Sequence, residues 1–215
     1  MRALIVYGGP DFHEPKPTTE VVTEFLRECG MQVEVSDSLE TFSDAVGLMQ
    51  YDLIIPNWTM GGQLSGAQCT NLVRAVSSGC GLAGWHGGMG DAFSNHQYQW
   101  MTGGLFMGHP GNKKQYGVRI TRPDDPVMAG LADFEMNSEQ YYMLFDPRVE
   151  VLADTTFHTP DMPWLDGMIM PVVWKTMWGQ GRVFYSALGH VASELQIPQV
   201  KQILVRGMQW ACRQA

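Results

Sequence analysis

Three of the six histidines in this 215-residue chain stand just after short apolar runs, in glycine-rich turns, where an imidazole could meet a ligand. Gly84-Trp85-His86-Gly87-Gly88 follows the apolar run 80–84 and has the spacing of a nucleophile elbow, a strained strand-to-helix turn that lifts one side chain away from the backbone. The lifted group here is histidine, so the acyl-enzyme route of a serine or cysteine has no nucleophile at the tip. An imidazole can instead act as general acid or base near neutral pH, or as a neutral metal donor. His190 ends the run 183–186 through Ala187-Leu188-Gly189, and the small Gly189 predicts room for a ligand beside it. Glu139 and Tyr141 lie two positions apart, which in an extended backbone turns both to one face. His86, His190 and Glu139 are therefore the candidate catalytic groups. His13, Trp85, His109 and Tyr141 are candidates for binding, with Trp85 offering an aromatic face for the C–H face of a sugar. His109 ends a glycine-rich segment, 103–110, that is expected to be a loop; it lacks the lysine and Ser/Thr of a phosphate-binding P-loop. His96 and His158 have only polar surroundings and are left out of the site.

An open parallel sheet gathers such residues, because ligands bind beyond the carboxyl ends of its strands. Apolar runs predict strands at 3–7, 31–36, 53–57 and 80–84, and amphipathic stretches predict helices at 17–29, 42–49 and 67–76 between them. The expected fold is α/β, a three-layer, doubly wound, mostly parallel sheet. Less regular strands follow at 115–120, 141–144, 149–152, 170–174 and 183–186, with a closing helix at 199–213. No linker or low-complexity run interrupts the chain, so one domain over 1–215 is expected. Hydrophobic residues reach 45% and charged residues only 17%, against about 25% in ordinary soluble domains, which calls for a large buried core. Fourteen Lys+Arg against twenty-two Asp+Glu leave a net charge of −8, with no basic face for nucleic acid or an anionic membrane. No apolar stretch approaches the roughly 20 residues of a membrane-spanning helix, and residues 1–7 run into Gly8-Gly9 without a cleavage pattern, so a cytoplasmic location is expected. Cys29, Cys69, Cys80 and Cys212 lack paired or metal-type spacing and are expected to be free thiols, Cys80 in the core.

Taken together, these motifs resemble the ThuA-like (trehalose utilisation) family, related to the class I glutamine amidotransferase-like, flavodoxin-like fold. The residues that carry the resemblance are Gly8-Gly9 with Phe12-His13-Glu14, Gly81-Leu82-Ala83-Gly84-Trp85-His86-Gly87, Gly104 with His109-Pro110, Glu139 with Tyr141, and Gly181-Arg182-Val183-Phe184-Tyr185 with Gly189-His190. They span nearly the whole chain. The resemblance implies that His86 stands where amidotransferases keep their cysteine and His190 where they keep their histidine, so the position of the site is inherited and the acyl chemistry is not. Members with a second histidine three positions after the elbow have Met89 in its place here.

The family implies carbohydrate catabolism, in particular of trehalose and related disaccharides after a partner sugar dehydrogenase has oxidised a hydroxyl to a ketone. A keto-sugar such as 3-keto-trehalose has an acidic proton beside its carbonyl; removing it needs a placed base and a group that stabilises the enediolate oxygen. The expectation is therefore acid–base chemistry, as isomerisation, elimination or hydrolysis, by His86, His190 and Glu139. Two histidines and a carboxylate are also a catalytic zinc set, so a divalent metal such as zinc is the cofactor to look for. The alternative is a non-catalytic sugar-binding or regulatory subunit. Expected partners are a small-molecule carbohydrate and the dehydrogenase, with a homo-oligomer allowed.

Overall fold

The computed structural model describes residues 1–60 and 62–214. Strand β1 (Arg2–Gly8) opens the chain, with Ala3, Leu4, Ile5 and Val6 fully buried, as a run without polar alternation requires when both sheet faces are covered. A 3-10 turn at Asp11–His13 leads into α1 (Pro15–Glu28), which begins on proline and returns the chain to β2 (Gln32–Ser36), an edge strand with exposed Gln32 and Glu34. The helix expected over 42–49 is instead a 3-10 turn, Leu39–Ser43, followed by the single turn α2 (Ala45–Leu48). Ser38 accepts from the Glu40 N–H and Asp44 from the Gly47 N–H, so two caps start two short turns where one helix was expected. β3 (Leu53–Trp58), α3 (Gly66–Ser77) and β4 (Gly81–Trp85) then follow as expected, α3 opening on a Ser65–Gln68 capping box.

Beyond β4 the chain forms α4 (Gly87–Gly90), α5 (His96–Thr102), β5 (Gly104–Gly108), β6 (Lys113–Ile120), β7 (Phe134–Glu139), β8 (Tyr142–Phe145), β9 (Glu150–Thr156), β10 (Ile169–Trp178), β11 (Gly181–Ser186), α6 (Ala192–Leu195) and α7 (Pro198–Ala211). The main sheet has nine strands in the order β2-β1-β3-β4-β11-β10-β9-β6-β7. Its first five are parallel, and β10, β9, β6 and β7 extend it antiparallel. Helices α1, α6 and α7 contact one another, as do α2, α3 and α5, and the two groups flank the sheet. The glycine-rich 104–108, expected as a loop, is a strand: β5 pairs antiparallel with β8 in a two-stranded ribbon outside the main sheet. Strand β7 was not expected; its alternation is carried by buried Met136 and Ser138 alone. Among the described residues, no helix is long and apolar enough to cross a membrane. All four cysteines are free, and burial pushes the Cys80 thiol up to about 12, so it offers no thiolate near neutral pH.

Candidate active site

β4 runs directly into His86, whose backbone holds φ 48° and ψ −138°, a conformation that side-chain-bearing residues rarely adopt. A Cβ at Gly84 would collide with Met89, and one at Gly88 with the Asn57 side chain, so this elbow closes only with glycine at both flanks. The His86 N–H donates to the Ser186 carbonyl at 2.7 Å, and the Tyr185 hydroxyl donates to the His86 carbonyl at 2.8 Å. These bonds hold the strained turn against the neighbouring β11. The imidazole it delivers is buried, its side chain 3% exposed.

Strands β1, β3, β4 and β11 are consecutive in the sheet, and the residues after them are His13, Thr59, His86 and His190. His13 Nδ1 lies 3.0 Å from Thr59 Oγ1. Glu139, the last residue of β7, places Oε2 3.1 Å from His86 Nε2 and 3.3 Å from His190 Nδ1, and those two nitrogens are 3.0 Å apart. One donor atom from each of His13, His86, Glu139 and His190 lies within 4.8 Å of all the others. Two further glutamates fix the loops. Glu194 Oε2 accepts from the His190 N–H at 2.9 Å and from Ser138 Oγ at 2.8 Å, joining the His190 turn to the strand that ends in Glu139. Glu14 accepts from the Ala192 N–H at 2.9 Å, joining the His13 loop to the same turn.

The protons in this cluster are too few for its lone pairs. His86 Nδ1 lies 3.1 Å from the Ala187 carbonyl, which can only accept, so Nδ1 carries the proton and Nε2 a lone pair. Burial lowers the His86 pKa and keeps the ring neutral. His13 is pushed down to about 4, first by burial and then by the neighbouring imidazoles. Burial alone would raise Glu139, but its contacts with the imidazoles, led by the hydrogen bond from His190, outweigh it and hold the carboxyl well below its usual range. A proton on His190 Nδ1 satisfies one contact; the 3.1 Å approach of ionised Glu139 to His86 Nε2 remains a meeting of two lone pairs. A cation between them resolves it. Three imidazoles and a carboxylate are the donors of a zinc-type centre, and the Ala187 carbonyl behind His86 is the outer partner that fixes a ligand's tautomer.

Residues 2–211 match the ThuA family, described as trehalose utilisation. The chain belongs to this family. Membership implies a role in trehalose utilisation. Among solved structures, a ThuA-like protein from Bacteroides uniformis superposes with a TM-score of 0.78 at 20% identity, covering 98% of this chain and 91% of its own. A ThuA-like protein from Parabacteroides merdae gives 0.80 at 17%, covering 98% and 89%. A protein from Salmonella typhimurium described as cytoplasmic gives 0.64 at 14%, covering 99% of both chains. At these identities the likeness establishes the fold. No curated protein matches the chain in sequence.

Six of the seven expected residues of this ThuA-family chain converge. His13, expected as a binding residue, stands with the three expected catalytic groups as a fourth donor. Glu139 and Tyr141 do share a face, though not along one strand: β7 ends at Glu139, and Gln140 turns away to donate to Thr155 and Thr156. The Tyr141 ring lies 4.2 Å from that of His86, and burial raises its phenol well above 10, so it stays protonated. His109 stacks on Phe106 with Nε2 3.8 Å from Glu139 Oε1; its side chain is 33% exposed, against 3% for His86 and 10% for His190. Trp85 is the correction: it is 2% exposed and presents no face to a sugar. The room expected beside Gly189 is filled as well, by Leu195 and Trp85 itself. Thr59, Glu194 and the Ala187 carbonyl were not singled out from the sequence, since each acts through a bond to a residue distant in the chain.

Proposed function

We propose that this chain performs acid–base chemistry on an oxidised, keto form of a trehalose-type disaccharide, with a divalent cation held by His13, His86, Glu139 and His190. The observation that supports it is the approach of an ionised carboxylate to a neutral imidazole lone pair, beyond four parallel strand ends and beside Tyr141 and His109. A divalent ion bound there supplies Lewis-acid stabilisation of negative charge on a ketone oxygen. Tyr141, protonated through the neutral range, donates a hydrogen bond to the same developing oxyanion. His109 takes the proton from the carbon beside the ketone; the C–H electron pair becomes a C–C double bond and the carbonyl pair moves to oxygen. Delivering that proton to the former carbonyl carbon, while the adjacent hydroxyl proton passes to the enolate oxygen, isomerises the sugar; delivering it instead to a β-oxygen as that C–O bond breaks releases the oxygen as an alcohol and leaves an unsaturated ketone. His109, the most exposed of the group, exchanges its proton with water. A sugar dehydrogenase upstream supplies the ketone.

The test is proton NMR of 3-keto-trehalose in deuterated buffer with the native chain, with His86→Ala, and after chelation. The native chain is expected to bring deuterium in beside the ketone or to consume the sugar, and zinc or manganese to restore activity after chelation. An unchanged native spectrum overturns the proposal. A melting temperature raised by sugar without turnover would then identify a sugar-binding subunit.

A further inference from the structure

Next to the cluster lies a cavity of about 170 Å³ whose lining includes Gln63, Asp91, Phe93, Ser94, Gln99 and Phe106. Its volume is below the roughly 300–1,000 Å³ of drug-sized sites, which suits one sugar ring and not two. Two ring contacts connect it to the cluster: Phe106 lies 4.4 Å from Tyr141, and Tyr141 lies 4.2 Å from His86. Asp91 follows the turn that the elbow opens, its N–H donating to the Gly87 carbonyl at 3.1 Å. Among the described residues, no protein group bonds to the side chains of Gln63, Asp91, Ser94 or Gln99. Burial raises the Asp91 carboxyl above its usual value, the mark of a charge drawn out of water without a partner.

A carboxylate with free acceptor oxygens, flanked by amides and aromatic edges, has the chemistry of a carbohydrate site. Carboxylate oxygens take two hydroxyls side by side, and aromatic rings take the C–H face. We propose that this cavity is a second carbohydrate subsite, in which Asp91 binds vicinal hydroxyls of the ring that does not react. It rests on the keto-disaccharide reading of the neighbouring cluster, and explains how the chain would prefer a disaccharide to a single ring.

The experiment compares kcat/KM for 3-keto-trehalose and 3-keto-glucose in the native chain, Asp91→Ala and Asp91→Asn. The ratio of the two is expected to fall on the order of tenfold to a hundredfold in Asp91→Ala, the worth of hydrogen bonds to a charged acceptor, through a raised KM for the disaccharide. Asp91→Asn keeps the shape and should fall less. An unchanged ratio, including one kept by an equal loss on both substrates, overturns the subsite. Should the native chain turn over neither ketone, the keto-sugar reading fails, and calorimetry with unoxidised trehalose decides the subsite alone. Binding that Asp91→Ala weakens supports it; no binding by the native chain, or equal binding by both, overturns it.

Discussion

Lys175 with Asp125, and His86 with Glu139 and His190, are both buried groups of titratable side chains, and they differ in what completes them. Lys175, on the antiparallel β10, makes an ion pair with Asp125 in which both side chains are under one-tenth exposed. Glu150 lies 3.7 Å from its ammonium, and the Trp210 ring lies 4.7 Å away. Donor and acceptor are both supplied by the chain, so the pair closes on itself. At the ends of the parallel strands, three imidazoles surround one carboxylate, and the proton positions leave acceptor facing acceptor. On the proposed reading, the complement of that group comes from solution. A buried charge with its partner in the chain is a structural feature, whereas a buried excess of lone pairs is what the proposed cation would complete.

Removing members of the two groups should therefore fail in different ways. His86→Ala or Glu139→Ala is expected to abolish bound zinc by mass spectrometry and to cut turnover of the keto-sugar on the order of 10³-fold or more, as loss of an essential catalytic group does. Retention of one zinc per chain in both variants would mean that this cluster is not where the metal binds. Lys175→Met leaves Asp125 buried without its cation, which should cost about 3–5 kcal/mol of stability in denaturant titration while the metal content of the folded chain stays at the native level. Glu194→Gln keeps the shape and removes the charge that holds the His190 turn to β7. It should weaken metal affinity by about 10–100-fold, as loss of an outer partner does, with kcat falling more than KM rises. An unchanged metal affinity would make Glu194 structural only.

The parallel half was legible because its strands are continuous apolar runs and because glycine spacing at His86 and Gly189-His190 marks turns that expose a side chain. In the antiparallel half β6, β8, β9 and β10 were legible as apolar runs, whereas β5 and β7 were not. Strand β7 alternates weakly, and the glycine-rich β5 acquires strand character only through pairing with β8, some forty residues on. Glu194 was invisible for the same reason: its partner Ser138 lies 56 positions away. Trp85 was assigned by its closeness to His86 along the chain, yet neighbouring residues at a strand end point to opposite sides. An imidazole aimed into the crevice requires its neighbour to face the core, so the turn that delivers His86 also buries Trp85.

The smallest expected effect, and the one that probes the neutral imidazoles most directly, is the acid dependence of the metal-free chain. An imidazole titrates near 6.5 when unfolded, and His13 titrates at about 4 in the fold. Between those values the unfolded chain holds a proton that the folded chain does not, so stability must fall as pH drops from 6.5 toward 4. His86, also lowered, acts with the same sign. Glu139, held below its ordinary 4.5, contributes stability above that value and loses it as the pH falls further. The melting temperature of the metal-free chain should therefore decline in two stages on acidification, and His13→Gln should flatten the first. Zinc should steepen that first stage, because the nitrogens it uses must be free of protons. Lys175→Met, lower throughout, should keep the same shape. A melting temperature level between pH 6.5 and 5 would mean that the imidazoles are not buried neutral, and the need for a cation between His86 and Glu139 would go with it.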